Sequence, residues 1–224
     1  MNCPNCGSTA LTPIDATHMQ CTFCLNTIDT LVKSPQNPPQ QIPKPLDFTE
    51  LFNHIVRLKL TNGQATGFVI HPKGYVLTNA HVVKDEPIIE GIRGSHPRLL
   101  ELETYSDGSV MNVDLAVLKT VEDADMPAVK WASNVPLVGD DVYVLGNPKN
   151  LGLSVNKGTI AQINDDELQL NMTLNPGNSG GPVINAQGAV IGVVSYLLED
   201  VQGMAFAVRL ETVQSFIKKS FEDR

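Results

Sequence analysis

Three short apolar-flanked stretches carry the polar residues best suited to covalent chemistry: TNAHVV with His81, MNVDLAVLK with Asp114 and NPGNSGGPV with Ser179. A serine hydroxyl is a poor nucleophile at neutral pH until an imidazole accepts its proton, and the resulting imidazolium gains from a fixed carboxylate. The long separations along the chain are no obstacle, because loops between different β-strands can bring the three together. Taken alone, NPGNSGGPV reads equally well as a tight turn, since glycine and proline shape turns wherever they occur. Asp107, in SDGS, is a rival acid, but its Asp-Gly context is first a turn signal.

A second cluster suggests metal chemistry. All four cysteines fall in the first 24 residues, as Cys3, Cys6, Cys21 and Cys24, in two CxxC pairs separated by fourteen residues. Two such knuckles can complete a tetrahedral Zn2+ site, with Gly7 suiting the turn after the first pair; reactive or disulfide-forming thiols are the alternative. Four thiolates leave no open position for water, so the expected zinc is structural and takes no part in catalysis. His18 reads as an exposed loop histidine beside a complete ligand set. This stretch resembles a zinc ribbon.

The elements that must position these groups follow from composition and periodicity. A chain of 224 residues has room for one sizeable domain or two smaller ones. A net charge of -8 argues against broad attraction to nucleic acid or anionic membrane. The start, MNCPNCGSTA, has no basic segment leading into an apolar one, and no run of eighteen apolar residues occurs; the expected location is cytoplasmic, with no membrane association. The expected domains are a ribbon over 1–28, a proline-rich linker over 29–46 with five prolines between Pro35 and Pro45, and a large domain over 47–224. In the large domain, short β-like runs such as IVRLKL, ATGFVI, DVYVLG and GTIAQI alternate with turn signals, and VRLETVQSFIKKS has the spacing of an amphipathic terminal helix. This pattern predicts a mainly β fold of two packed antiparallel barrels or a sandwich.

The stretches TGFVIHPKGYVLTNAHVV, DLAVLK, NPGNSGGPVINAQGAVIGVVSY and GMAFAV resemble a chymotrypsin-like serine peptidase, particularly the HtrA/DegP-like group. The resemblance implies a double β-barrel with the active site in the cleft between barrels. It implies His81 as general base and acid, Asp114 as the carboxylate orienting it, and Ser179 as the nucleophile. It further implies an oxyanion hole from the N–H groups of Gly177 and Ser179, with substrate binding by Thr173, Ser195, Tyr196 and Leu197. Thr173 would lie near the base of the specificity pocket; having no negative charge, it favours a small or medium apolar P1 residue. No cofactor is implied for catalysis. A protonated imidazole cannot accept the serine proton, so hydrolysis is expected to fall on acidification.

Two departures from the HtrA pattern stand out. LNMTLNPGNS lacks the threonine-aspartate pair common before this loop, and with Arg224 the last residue a C-terminal PDZ domain is not expected. The expected function is a serine endopeptidase acting on peptides or proteins through an acyl-enzyme. The alternatives are a noncatalytic peptide-binding protein and a docking protein acting through the ribbon. No Lys or Arg precedes Lys33, so a protein partner is expected there before nucleic acid.

Overall fold

Short aliphatic and β-branched runs bounded by turn residues form strands through most of the chain. The computed structural model describes residues 9–16, 18–22, 24–25, 27–29, 45–61, 63–86, 89–94, 99–108, 111–122, 125–197 and 203–222. The chain divides into two units, Met1–Lys44 and Pro45–Arg224. Most of the expected proline-rich linker lies outside the described residues.

In the first unit, β1 (Leu11–Pro13), β2 (His18–Cys21) and β3 (Thr27–Asp29) form an antiparallel sheet in that order. His18 lies in β2, and its Nδ1 sits 3.0 Å from both Asp15 carboxylate oxygens. The structural zinc requires a correction. Among the described residues no group of three or more His, Cys, Asp and Glu is placed to hold a metal ion. Cys21 is buried and Cys24 half-buried, while Cys3 and Cys6 lie outside the described residues. A four-thiolate site needs four sulfurs around one centre, and no such centre is present among the described residues.

The second unit contains two closed antiparallel barrels. Barrel one is built from β4 (Ile55–Leu60), β5 (Gly63–His71), β6 (Tyr75–Thr78), β7 (Ile89–Arg93), β8 (Leu99–Asp107) and β9 (Ala116–Thr120). Barrel two is built from β10 (Asp141–Gly146), β11 (Ser154–Ile163), β12 (Glu167–Asn171), β13 (Pro182–Asn185), β14 (Val190–Leu197) and β15 (Met204–Arg209). The orders, β4-β5-β6-β9-β8-β7 and β10-β11-β12-β15-β14-β13, are the same path traced twice. The expected double barrel is therefore the fold observed.

Strand alternation explains why β9, AVLKT, opens on three successive apolar residues, Ala116, Val117 and Leu118. Ala116 and Leu118 fill barrel one with Val56, Leu58 and Val76. Val117, on the other face, joins Ile55, Phe68, Leu145, Ile184, Val193 and Phe216 in a second cluster that draws on both barrels. With both faces buried, the usual apolar-polar alternation disappears. Barrel two has its own interior of Val142, Val144, Leu168, Leu170 and Val183. The terminal helix α3 (Leu210–Glu222; α1 is Phe48–Leu51 and α2 Ala80–Val83) buries Leu210, Val213, Phe216 and Ser220. Their three- and four-residue spacing is one helix face, and Val213 and Phe216 fill the shared core.

Candidate active site

His81 follows directly from the end of β6. The buried strand end at Thr78 leads through Asn79 into the single turn of α2, whose Val82 and Val83 are buried in barrel one. That anchorage leaves the His81 side chain 52% exposed. Asn79 Nδ2 donates to the Asp114 main-chain carbonyl at 2.9 Å, tying the start of α2 to the turn between β8 and β9. In that turn Gly108 N–H donates to the Leu115 carbonyl at 2.7 Å and Val113 N–H to the Gly108 carbonyl at 3.1 Å. The residues that follow, Leu115 to Leu118, are fully buried and act as the anchor of Asp114.

The carboxylate and imidazole meet side by side. His81 Nδ1 lies 2.8 Å from Asp114 Oδ2 and 3.0 Å from Oδ1, and the His81 main-chain N–H donates to Oδ1 at 3.0 Å. An imidazole whose Nδ1–H is given to a carboxylate has its lone pair on Nε2, ready to accept a proton from the other side. Ser195 Oγ also donates to Asp114 Oδ2, at 2.9 Å. Burial pushes the Asp114 carboxyl up, but the hydrogen bonds and charge of His81, with the Ser195 hydroxyl, outweigh it and hold the group below its ordinary value. The rival Asp107 ends β8; it is Asp114 that meets the imidazole.

Ser179 lies in the turn between β12 and β13, and that turn rests against both barrels. Ser179 C=O accepts from Thr66 N–H of β5 at 3.0 Å, and Gly180 N–H donates to the Val194 carbonyl at 3.0 Å. A side chain at Gly180 would collide with Thr78 and the Thr66 carbonyl. Thr78 is three residues before His81, and Val194 is next to Ser195, so the turn sits between the two partners of Asp114. Gly177 has φ +101°, a conformation that favours glycine, and a Cβ there would meet the Asn147 carbonyl at 2.5 Å. Among the described residues, no acceptor takes the N–H of Gly177 or Ser179, and Ser179 Oγ makes no hydrogen bond to His81.

The residues expected at the substrate are spread along the rim of barrel two. Thr173 is exposed, and its carbonyl accepts from Asn156 Nδ2 at 3.2 Å. On β14 the ladder with β15 runs from Val194 opposite Ala207 to Leu197 opposite Ala205, so Ser195 and Tyr196 form a bulge opposite Phe206. Tyr196 stacks on Phe206 with ring centroids 4.7 Å apart and donates to Glu167 Oε2 at 3.3 Å. Burial, followed by the Glu167 charge and hydrogen bond, pushes its phenol above the ordinary value.

Sequence reasoning missed Asn79 and Thr66, and it placed Ser195 at the substrate without its hydrogen bond to Asp114. Asn79 stands beside His81 in TNAHVV, and only its contact with the Asp114 carbonyl distinguishes it from an ordinary cap residue. Thr66 opens TGFVI, where a fully buried hydroxyl has no chemistry of its own to mark it.

The trypsin-like peptidase domain family matches residues 65–193. A putative serine protease, HhoB, from Synechocystis is 32% identical over 71% of this chain and 40% of its own length. A probable periplasmic serine endoprotease, DegP-like, from Pseudomonas savastanoi is 33% identical over 69% of this chain and 34% of its own. The chain thus spans well under half the length of these relatives. Among solved structures, a serine endoprotease from Yersinia pestis superposes with a TM-score of 0.71 at 28% identity, covering 80% of this chain and 68% of that one. The inactive serine-to-alanine form of Rv3671c from M. tuberculosis superposes with a TM-score of 0.67 at 25% identity, covering 80% of this chain and 95% of that one. The expected cytoplasmic location is corrected by the relatives: DegP-like proteins from three species are named periplasmic, which points away from the cytoplasm. Among the described residues no helix is long and apolar enough to cross a membrane.

Proposed function

Because this chain belongs to the trypsin-like peptidase domain family, in its HtrA/DegP-like branch, we propose that it is a serine endopeptidase with His81, Asp114 and Ser179 as its triad. The observation that carries the reading is the His81 imidazole, clasped at Nδ1 by Asp114, with the Ser179 turn seated between the strand ends that hold the pair. Ser179 Oγ attacks the peptide carbonyl as its proton passes to His81 Nε2. The N–H groups of Gly177 and Ser179 hold the developing oxyanion. His81 then returns the proton to the leaving amine, leaving an acyl-Ser179 that water hydrolyses by the same route in reverse.

Ser195 is hydrogen-bonded to Asp114, and its position suits support better than attack. Its hydroxyl proton already points at Asp114 Oδ2, whereas a nucleophile must face Nε2 on the opposite side of the ring. Ser179→Ala is therefore expected to abolish both casein hydrolysis and labelling by a fluorophosphonate, while Ser195→Ala keeps the labelling. Labelling that survives Ser179→Ala in a folded chain and is lost in Ser195→Ala would reverse the assignment.

The bulge at Ser195 and Tyr196 suits main-chain pairing with an extended substrate, and Thr173 suits a small or medium apolar P1 residue. Digestion of a proteome-derived peptide library reads this preference directly; cleavage mainly after Arg or Lys would contradict it. Residues 1–28, with no Lys or Arg to attract nucleic acid, are proposed as a protein-docking segment, and comparing partner capture by the full chain and by residues 46–224 tests it. Saturable peptide binding by the wild type, with neither turnover nor acylation, would favour a noncatalytic binder instead.

A further inference from the structure

Four successive carbonyls of the Ser179 turn are each engaged by a different group. Pro176 C=O accepts from Lys149 N–H at 3.1 Å, Asn178 C=O from Gly181 N–H at 2.9 Å, and Ser179 C=O from Thr66 N–H at 3.0 Å. Gly177 C=O accepts from Thr66 Oγ1 at 2.6 Å. A trans peptide is planar, with its C=O and N–H pointing opposite ways. Holding the Pro176 and Asn178 carbonyls therefore aims the N–H groups of Gly177 and Ser179 away from those partners. The alternate carbonyls, of Gly177 and Ser179, are both held by one residue, Thr66, from the opposite barrel.

Thr66 is itself fully buried and fixed on every side. Its hydroxyl donates to Gly177 and accepts from Asn147 N–H at 3.1 Å, and its carbonyl accepts from Thr78 Oγ1 at 2.8 Å. Within the turn, the far end of the Gly177–Asn178 peptide is held by Asn178 N–H donating to the Asn175 carbonyl at 3.1 Å, while the buried Asn178 side chain has neither amide atom hydrogen-bonded among the described residues. At Gly177 a chain without a Cβ, at positive φ, meets little steric resistance to rotation. Only a group that donates and accepts at once can satisfy both the Gly177 carbonyl and the Asn147 N–H, and a hydroxyl is such a group.

We infer that Thr66 is a positioning residue for catalysis, whose hydroxyl locks the Gly177–Asn178 peptide, the link between the two peptides that carry the Gly177 and Ser179 N–H groups, so that these converge on the oxyanion. It rests on the endopeptidase reading above. Thr66→Val keeps the shape and removes the hydroxyl, leaving the Gly177 carbonyl and Asn147 N–H without that partner. Thr66→Ser keeps the hydroxyl and removes only the methyl group.

The experiment compares wild type, Thr66→Val, Thr66→Ser and Ser179→Ala as full chains. It measures kcat and KM on fluorescein-labelled casein, the second-order rate of fluorophosphonate labelling, and thermal unfolding. Thr66→Val is expected to lower kcat about 10- to 100-fold, with KM within about twofold and labelling slowed in parallel. Thr66→Ser is expected to stay within about threefold of wild type, in line with a retained hydroxyl. A folded Thr66→Val chain with wild-type kcat, or one impaired in KM alone, overturns the inference. So does a folded Thr66→Ser chain that loses activity tenfold, a result available even where Thr66→Val fails to fold. Labelling that persists in Ser179→Ala sinks the Ser179 reading instead, whatever the Thr66 variants do.

Discussion

The two barrels of the large unit share one strand order, yet they bring different kinds of group to the site. Barrel one contributes side chains: His81 from the turn of helix after its third strand and Asp114 from the turn before its last. Both are held by several hydrogen bonds and backed by buried Val82, Val83 and Leu115. The corresponding contribution of barrel two, between its third and fourth strands, is mostly main chain: a turn with glycines at positive φ and two N–H groups free of acceptors among the described residues. Barrel one is thus built to hold an acid-base pair still, and barrel two to leave donors open. Thr66 and Ser195 cross between them, each reaching from one barrel to a group held by the other.

After loss of the nucleophile itself, removing the charge on the barrel-one side should have the largest effect. Asp114→Asn is expected to lower kcat by about 10^4, against about tenfold for Ser195→Ala, because the carboxylate keeps its bonds to His81 there. Equal losses on casein would erase the distinction between the acid and its support.

The shared core is the next place to strain the comparison. Phe216, 1% exposed among residues of both barrels, should cost about 3–5 kcal/mol of stability on truncation to alanine. Urea unfolding is expected to remain a single transition; separate transitions for the barrels would show that the shared core does not couple them. On the main-chain side, Gly177→Ala forces a Cβ onto the Asn147 carbonyl at positive φ. It should lower kcat about 100-fold, and a chain that keeps wild-type kcat would place the oxyanion site elsewhere.

The acid limb of stability isolates Asp114. Its folded-state pKa is lowered, so its ionisation contributes stability that is complete above the ordinary carboxylate value, about pH 4, and is lost as pH falls through the lower folded value. The difference in urea stability between wild type and Asp114→Asn should shrink as pH drops below about 4. A difference constant down to pH 2 would contradict the lowered value. The smallest effect belongs to the exposed Lys59–Glu90 pair, 3.0 Å apart where barrel one closes. Lys59→Ala should change stability by no more than about 1 kcal/mol.

Much of this was legible in the residues themselves. Strand runs such as IVRLKL and DVYVLG formed where alternation and turns implied, because burying one face of a short β-run is a local requirement. His81, Asp114 and Ser179 stood out because their types carry recognisable chemistry. Thr66 did not, because a buried threonine hydroxyl acquires meaning only from what it touches. The CxxC pairs show the opposite failure: spacing implied a metal, but ligation needs four sulfurs at one point, and the described residues do not assemble it.

What the sequence determined by itself was the inventory: two sets of short strands, an acid, a base, and a hydroxyl in a glycine-rich turn. Tertiary structure decided which acid meets His81, that Ser195 supports Asp114, and that Thr66 of one barrel holds two carbonyls of the other. The physical reason is range. Propensity and alternation act over a few neighbouring residues, whereas hydrogen-bond partners 81 or 111 positions apart are chosen only when the barrels pack.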